Sequence, residues 1–254
     1  MTHTILVLQN DPLSPLGVLE PVFREQGIGL DIRYPMEDAD SVPENVSGFA
    51  GIVVLGGAMS ALDDTAYPGI SGIIALLRCG HWKNVPILGI CLGGQILARA
   101  FGGVVHRDAC TEVGVTRLEP TPDCEDDPLL SGIEPLAAME MHFDRFDVPP
   151  GSVELVSSPD CPHQAFRIGS AVWGLQFHPE VTPTIVGGWI EHLDGIGGDD
   201  NRAHARRLRN DLDGRLAASM DVGRMIARRW SAMVLAGPGS DAADREIEGQ
   251  IAGI

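Results

Sequence analysis

The residues best suited to covalent chemistry stand in Gly89-Ile90-Cys91-Leu92-Gly93-Gly94-Gln95, between an apolar run and a helix-like segment. A nucleophile on such a strand-to-helix turn is held in a strained, exposed position, and flanking glycines relieve the crowding around it. The helix that follows directs its free N–H groups and the positive end of its dipole at the sulfur, which stabilises the attacking thiolate. A second group, His178-Pro179-Glu180, follows another apolar run. Positions i and i+2 of an extended backbone point to one side, so His178 can act as general base with Glu180 orienting its ring. Pro179 fixes one φ angle and keeps the segment from coiling into a helix. Third, Gly56-Gly57 follows Leu55. A glycine pair lets the main chain approach a developing oxyanion, where losing one N–H donor costs roughly 3 kcal/mol. Gly57 and Leu92 are the natural donors. Taken alone, the cysteine motif reads equally well as a buried thiol in a glycine turn, and Gly56-Gly57 as an ordinary strand end. Their combination with His178 and Glu180 points to acyl transfer through Cys91.

These groups require elements that bring distant segments together. Ile5-Leu6-Val7-Leu8, Gly51-Ile52-Val53-Val54-Leu55 and Pro86-Ile87-Leu88-Gly89-Ile90 are short apolar runs ahead of amphipathic stretches. That alternation predicts an α/β fold with a mainly parallel central sheet flanked by helices. Helices are expected over residues 16–26, 69–78 and 93–101, the first and last ended by glycine. Beyond Gly103, strands over 112–119, 153–157 and 171–177 form a smaller additional group, with turns at 123–127 and 149–151. Residues 1–200 are read as the catalytic domain, 201–236 as an amphipathic helical segment packed on it and 237–254 as a mobile tail.

Composition narrows the function. The 254-residue chain is 44% hydrophobic and 21% charged, and no apolar run nears the roughly 18 residues of a membrane helix. No membrane association is expected. Met1 to Gln9 contain no Lys or Arg, unlike a secretory signal, so the expected location is cytoplasmic. The net charge of −17 disfavours nucleic acid, whose recognition relies on clustered cations. Residues 202–230 nonetheless hold eight Arg against three Asp. Because Leu208, Leu212, Leu216, Ile226 and Trp230 recur at helical spacing, this stretch reads as a helix lying on its own acidic domain rather than a docking face. Five cysteines, odd in number and without a C-x-x-C pair, argue against a disulfide framework or thiolate metal site. Cys161-Pro162-His163 has no second ligand pair in sequence. No metal and no cofactor are expected, and neither a Walker loop nor a dinucleotide glycine fingerprint is present. Asp63-Asp64 and Glu125-Asp126-Asp127 read as solvated turns.

The ordered series Leu55-Gly56-Gly57, Gly89 to Gln95 and Gly174-Leu175-Gln176-Phe177-His178-Pro179-Glu180 resembles the class I glutamine amidotransferases, particularly the amidotransferase domain of GMP synthetase, over roughly residues 3–195. The resemblance implies a Cys91-His178-Glu180 triad that hydrolyses the side-chain amide of glutamine through a γ-glutamyl thioester. It also implies an oxyanion hole of Gly57 and Leu92, with Gln95 against the substrate. Many relatives carry His-Gly-Asp at the substrate's amino-acid end, where this chain has Met141-His142-Phe143-Asp144. His142 and Asp144 are the expected substrate-binding residues there, although phenylalanine does not adopt a positive φ as glycine does.

Four functions compete. The chain fits a glutaminase that passes ammonia to a separate synthetase. It also fits a stand-alone γ-glutamyl hydrolase or peptidase with the same triad. An α/β-hydrolase is contradicted by the order Cys91, His178, Glu180, and a catalytically silent interaction protein by the presence of every triad member.

Overall fold

Runs of four or five apolar residues with no polar alternation bury both faces, as the strands inside a parallel sheet do. In the computed structural model, which describes residues 3–237, the first half of the chain builds, in order, β1 (Thr4–Leu8), α1 (Leu19–Glu25), β2 (Gly29–Arg33), β3 (Gly51–Val54), α2 (Gly69–Trp82), β4 (Ile87–Ile90) and α3 (Leu92–Ala100). Strands β1, β3 and β4 are of this buried kind, with the half-buried β2 at the sheet edge. The second half opens with short strands: β5 (Val105–His106), β6 (Glu112–Arg117), β7 (Glu119–Pro120), β8 (Ala137–His142), β9 (Arg145–Phe146), β10 (Val153–Ser157), β11 (Ala165–Ile168) and β12 (Val172–Leu175). Three helices follow: α4 (Pro183–Ile196), α5 (Asp199–Leu212) and α6 (Leu216–Ala236).

The main sheet has eight strands in the order β2-β1-β3-β4-β12-β11-β10-β7. Its first five strands are mutually parallel, and β11, β10 and β7 add antiparallel pairs at one edge. The expected α/β architecture is therefore present, and the smaller group of strands partly extends the main sheet. The rest of that group forms two ribbons, β5–β9 and β6–β8.

Alternate residues of the strands feed two cores. Ile5, Val7, Val53 and Leu88 face α1 and α6 with Phe23 and Trp230, while Leu6, Leu8, Ile52 and Ile87 face α2 and α3. Each fully buried side chain of this kind contributes roughly 1.5–3 kcal/mol. The start of α3 sits directly on the sheet. A methyl group on Gly93 would lie 2.0 Å from the Val54 carbonyl oxygen, and one on Gly94 would lie 2.5 Å from that of Leu175. Only glycine allows this approach, and it sets Cys91 over the strand ends.

Several boundaries differ from expectation. Helix α1 begins at Leu19 rather than residue 16. The strand expected over 112–119 breaks at Leu118 because β6 pairs with β8 while β7 crosses to β10. The segment 201–236 lies in two helices, α5 and α6, separated by a turn. Leu208, Leu216, Ile226 and Trp230 are buried there as their spacing predicts. Two polar anchors fix these helices: buried Asp211 accepts from the Val115 amide at 2.7 Å, and Ser219 Oγ accepts from the Met139 amide at 3.0 Å. From residue 238 the expected tail lies outside the described residues. Asp127 is no solvated turn residue. It is fully buried and accepts from the Leu129 and Leu130 amides, Arg167 and the Trp173 indole. Asp63 and Asp64 are half-buried and pair with Arg107 and Arg99.

Candidate active site

Strands β3, β4 and β12 are neighbours, with Val54 beside Gly89 and Ile90 beside Leu175 in register. Their carboxyl ends therefore bring Gly56-Gly57, Cys91 and Gln176-Phe177-His178 to one place, where open α/β sheets carry their ligand crevices. Cys91 caps α3 with φ +50° and ψ −109°, a left-handed backbone that costs a non-glycine residue about 1–3 kcal/mol. Hydrogen bonds on both sides hold it: its amide donates to the Leu175 carbonyl at 2.8 Å and its carbonyl accepts from the Gln95 amide at 2.9 Å. The strain matches the sequence expectation, but the exposure does not. Cys91 is 6% exposed, because it forms part of the wall of a cavity rather than a convex turn.

His178 leaves β12 through a single bridge to Met139 of β8, its amide donating to the Met139 carbonyl at 2.8 Å. Its Nδ1 lies 2.6 Å from Glu180 Oε1, and both side chains are buried. Trp189 of α4 packs edge-on against the ring at a centroid distance of 4.9 Å, and its own N–H is engaged by the Leu13 carbonyl at 2.9 Å. His178 Nε2 is buried without a formed hydrogen bond. Burial alone would lower the pKa of this imidazole, but the Glu180 carboxylate and the Cys91 sulfur outweigh it and hold the pKa well above the ordinary histidine range. Gly56 borders both groups, since a methyl group there would lie 3.0 Å from His178 Cε1 and 3.6 Å from Cys91 Cβ.

The cavity, of about 570 Å³, is also lined by Gly57, Gln95, His142 and Asp144. Glu180 stands behind His178, and the Leu92 side chain turns into the core. As the first residue of α3, Leu92 has an amide with no acceptor within the helix. Gly57 adjoins it, an added methyl there lying 3.1 Å from Leu92 Cδ2. Gln95 Nε2 donates to the Asp144 carbonyl at 3.2 Å. Asp144 accepts from Ser60 Oγ at 2.7 Å and from the Asp108 amide at 3.0 Å. Both ring nitrogens of His142 are engaged, Nδ1 with the Asp144 carbonyl at 3.1 Å and Nε2 with Glu112 at 3.1 Å and Glu140 at 3.3 Å. Burial opposes its charge, yet these carboxylates push the His142 pKa up to about 10. It braces the cavity wall. Burial likewise raises Glu140 to about 7. Phe143, which stands where many relatives carry glycine, is absent from the positive-φ residues. Its ring turns outward against His204 at 5.7 Å.

Sequence reasoning missed several of these parts. Gln176 Nε2 lies 3.8 Å from Cys91 Sγ, and the Met141 carbonyl lies 3.9 Å from the same sulfur. The i, i+2 relation between Gln176 and His178 carried that signal. Nothing local marks Trp189, which arrives from α4, or Asp11, whose carboxylate holds the Ala58 amide after Gly57 at 3.2 Å.

Comparisons with known proteins bear on the family. The GMP synthase [glutamine-hydrolyzing] of Helicobacter pylori (strain HPAG1) is 36% identical over 169 residues, which is 66% of this chain and 31% of that protein. The chain thus spans about a third of the length of that relative. A crystal structure of a glutamine amido transferase from Methylobacillus flagellatus superposes with a TM-score of 0.79 at 27% identity, covering 91% of this chain and 94% of that one. A glutamine amidotransferase from Thermotoga maritima superposes with a TM-score of 0.76 at 25% identity, covering 92% of this chain and 99% of that one. The family model "Glutamine amidotransferase class-I" matches residues 18–190, a span containing every strand end that meets at the cavity, and the chain belongs to that family.

Proposed function

We propose that the chain is a glutaminase that hydrolyses the side-chain amide of glutamine and releases ammonia to a separate synthetase. The carrying observation is the Cys91, His178, Glu180 arrangement: an imidazole tied through Nδ1 to a buried carboxylate at 2.6 Å, with buried Nε2 left for the thiol. Catalytic hydrogen bonds of this kind often tighten only when substrate is bound. In the reaction, Cys91 passes its thiol proton to His178 Nε2, Sγ attacks the γ-carbonyl carbon and the C–N bond breaks. His178 donates its proton to the departing nitrogen, leaving a γ-glutamyl thioester and ammonia. A water then attacks the thioester as His178 accepts its proton; the C–S bond breaks, His178 returns the proton to the sulfur, and glutamate leaves with the thiol restored. The Gly57 and Leu92 amides serve as donors to the oxyanion in both steps. Gln95 and Asp144 bound the amino-acid end of the substrate, and Glu180 holds the tautomer and orientation of the imidazole.

A second reading, a stand-alone γ-glutamyl hydrolase, draws on one observation. The cavity of about 570 Å³ falls in the range that accommodates drug-sized ligands, leaving space for a leaving amine larger than ammonia. The purified chain tests both: turnover of glutamine is compared with that of γ-glutamyl peptides, with and without a neighbouring gene's product. Turnover of glutamine that rises when the synthetase partner is added supports the glutaminase. Fast peptide cleavage with poor glutamine use, independent of any partner, would replace it with the hydrolase. Retention of either activity in Cys91→Ala would overturn the chemistry itself.

A further inference from the structure

Two segments about fifty residues apart in sequence place two thiols and a carboxylate together behind the cavity wall. Cys110 Sγ, Cys161 Sγ and a Glu112 carboxylate oxygen all lie within 4.8 Å of one another. Read in sequence, Cys161 lacks a partner pair. Cys110 and Glu112, at i and i+2 where the chain enters β6, supply one in the fold. From this geometry we infer a zinc site in which Cys110, Cys161 and Glu112 bind one Zn²⁺.

The donor set favours this ion. Two thiolates select a soft or borderline cation over Mg²⁺ or Ca²⁺, and the carboxylate, also a zinc ligand, gives three protein ligands with water left for the fourth tetrahedral place. Zn–S bonds of about 2.3 Å and Zn–O bonds of about 2.0–2.2 Å put tetrahedral ligands roughly 3.5 Å apart, so closure asks for movements of about 1 Å or less. A second layer of hydrogen bonds holds the carboxylate, as metal ligands require. Ser158 Oγ donates to Glu112 Oε1 at 2.7 Å, and Gln164 Nε2 donates to Oε2 at 2.5 Å. Ser158 Oγ also accepts from the Cys161 amide at 2.9 Å, fixing the loop that carries the second sulfur. Gln164 Oε1 within this group is buried and has no donor. Cys161 is fully buried and Cys110 half-buried, so the site has a solvent-facing side through which an ion can enter.

Binding moves no electrons. Both thiols lose their protons to solvent, two Zn–S bonds and one Zn–O bond form, and the ion sheds the waters they replace. The ion would tie the loop before β6 to the loop after β10. The Asp108 amide in the first of these supports Asp144 of the cavity. The ion would thus hold the two loops together, and its binding does not depend on the Cys91 chemistry.

The test uses the full chain with Cys91→Ala, which removes the competing thiol, kept reduced and titrated with Co²⁺ as a spectroscopic stand-in. One equivalent should give thiolate-to-cobalt charge-transfer absorption and the intense visible bands of a tetrahedral ion, both removed by Zn²⁺. Adding Cys110→Ser or Cys161→Ser should weaken binding by on the order of a hundredfold or more, whereas Cys79→Ser should not. Zn²⁺ at a hundredfold excess over its Kd should raise Tm by roughly 5 °C or more. Absence of the bands while all four remaining thiols titrate as reduced would overturn the site, as would bands that survive both serine variants. Should Cys161→Ser fail to fold, half-buried Cys110 still decides the matter.

Discussion

Helix α6 touches the His178-Pro179-Glu180 segment through a residue with no side chain. A methyl group built on Gly223 would lie 1.8 Å from the Pro179 carbonyl oxygen and 3.0 Å from Val18 Cγ2. Real contacts of this type start near 3.0 Å, so Gly223→Ala obliges Pro179 or the helix to retreat by about 1 Å. Two effects oppose each other in stability. Replacing a helical glycine with alanine gains about 1 kcal/mol, and overpacking costs about 1–3 kcal/mol; the net loss is therefore at most about 2 kcal/mol and the variant folds. Activity has no such offset, because Pro179 lies between the imidazole and its carboxylate. A misplacement of about 1 Å at such a site costs on the order of a hundredfold in rate. The assay measures ammonia release from glutamine and the rate of Cys91 alkylation by a glutamine-like electrophile, alongside thermal unfolding. Gly187→Ala on α4 is the control, since nothing lies within 4 Å of a methyl group there. It should gain about 1 kcal/mol in stability and leave both rates unchanged. A Gly223→Ala protein with unaltered rates and the same stability gain would show that α6 does not position the histidine segment.

The remaining predictions are direct. Among the five cysteines, Cys91 should be labelled fastest by a glutamine-like electrophile, as mapped by mass spectrometry; labelling that begins elsewhere contradicts its assignment as nucleophile. His178→Ala should nearly abolish turnover, whereas Glu180→Gln should leave a residual rate because the amide still orients the ring; equal rates in both would refute the assigned roles. Because the folded pKa of His178 lies above its unfolded value, its stabilising contribution is complete below about pH 6.5 and is lost as pH rises through the folded value. Glu180→Gln should move that alkaline loss to lower pH in urea unfolding curves, and an unmoved curve would show that the two groups are uncoupled. Asp127→Ala strips a buried acceptor from four donors and should cost roughly 3 kcal/mol. Asp126→Ala, on the exposed neighbour, should stay within about 0.5 kcal/mol by the same measurement.

The legible parts of the fold were those that local chemistry specifies. Continuous apolar runs of four or five residues have few alternatives to a strand buried on both faces, and the glycines around Cys91 mark a turn where backbones touch. His178 and Glu180 were legible as a pair because two residues' separation in extended chain already makes them neighbours. Boundaries such as the break at Leu118 were not, since they follow from which strand each half pairs with. Asp127 was misread for a similar reason: its polarity suggests solvent, and its burial becomes tolerable through the Leu129 and Leu130 amides together with Arg167 of β11 and Trp173 of β12, which the fold brings to it.

By itself, the sequence determined the α/β class and singled out Cys91, the His178 and Glu180 pair and the nearby glycines on which the proposed chemistry rests. Each of these rests on residue type and on spacing within a few positions, where covalent geometry limits the outcomes. The tertiary structure alone decided that β12 inserts beside β4, which sets His178 next to Cys91 although they are far apart in sequence. It alone brought Trp189, Gln176 and Asp144 to the same cavity and gathered Cys110, Glu112 and Cys161 behind it. The physical reason is that strand order and helix docking arise from burying whole apolar faces at once, a collective quantity that no short stretch of sequence contains.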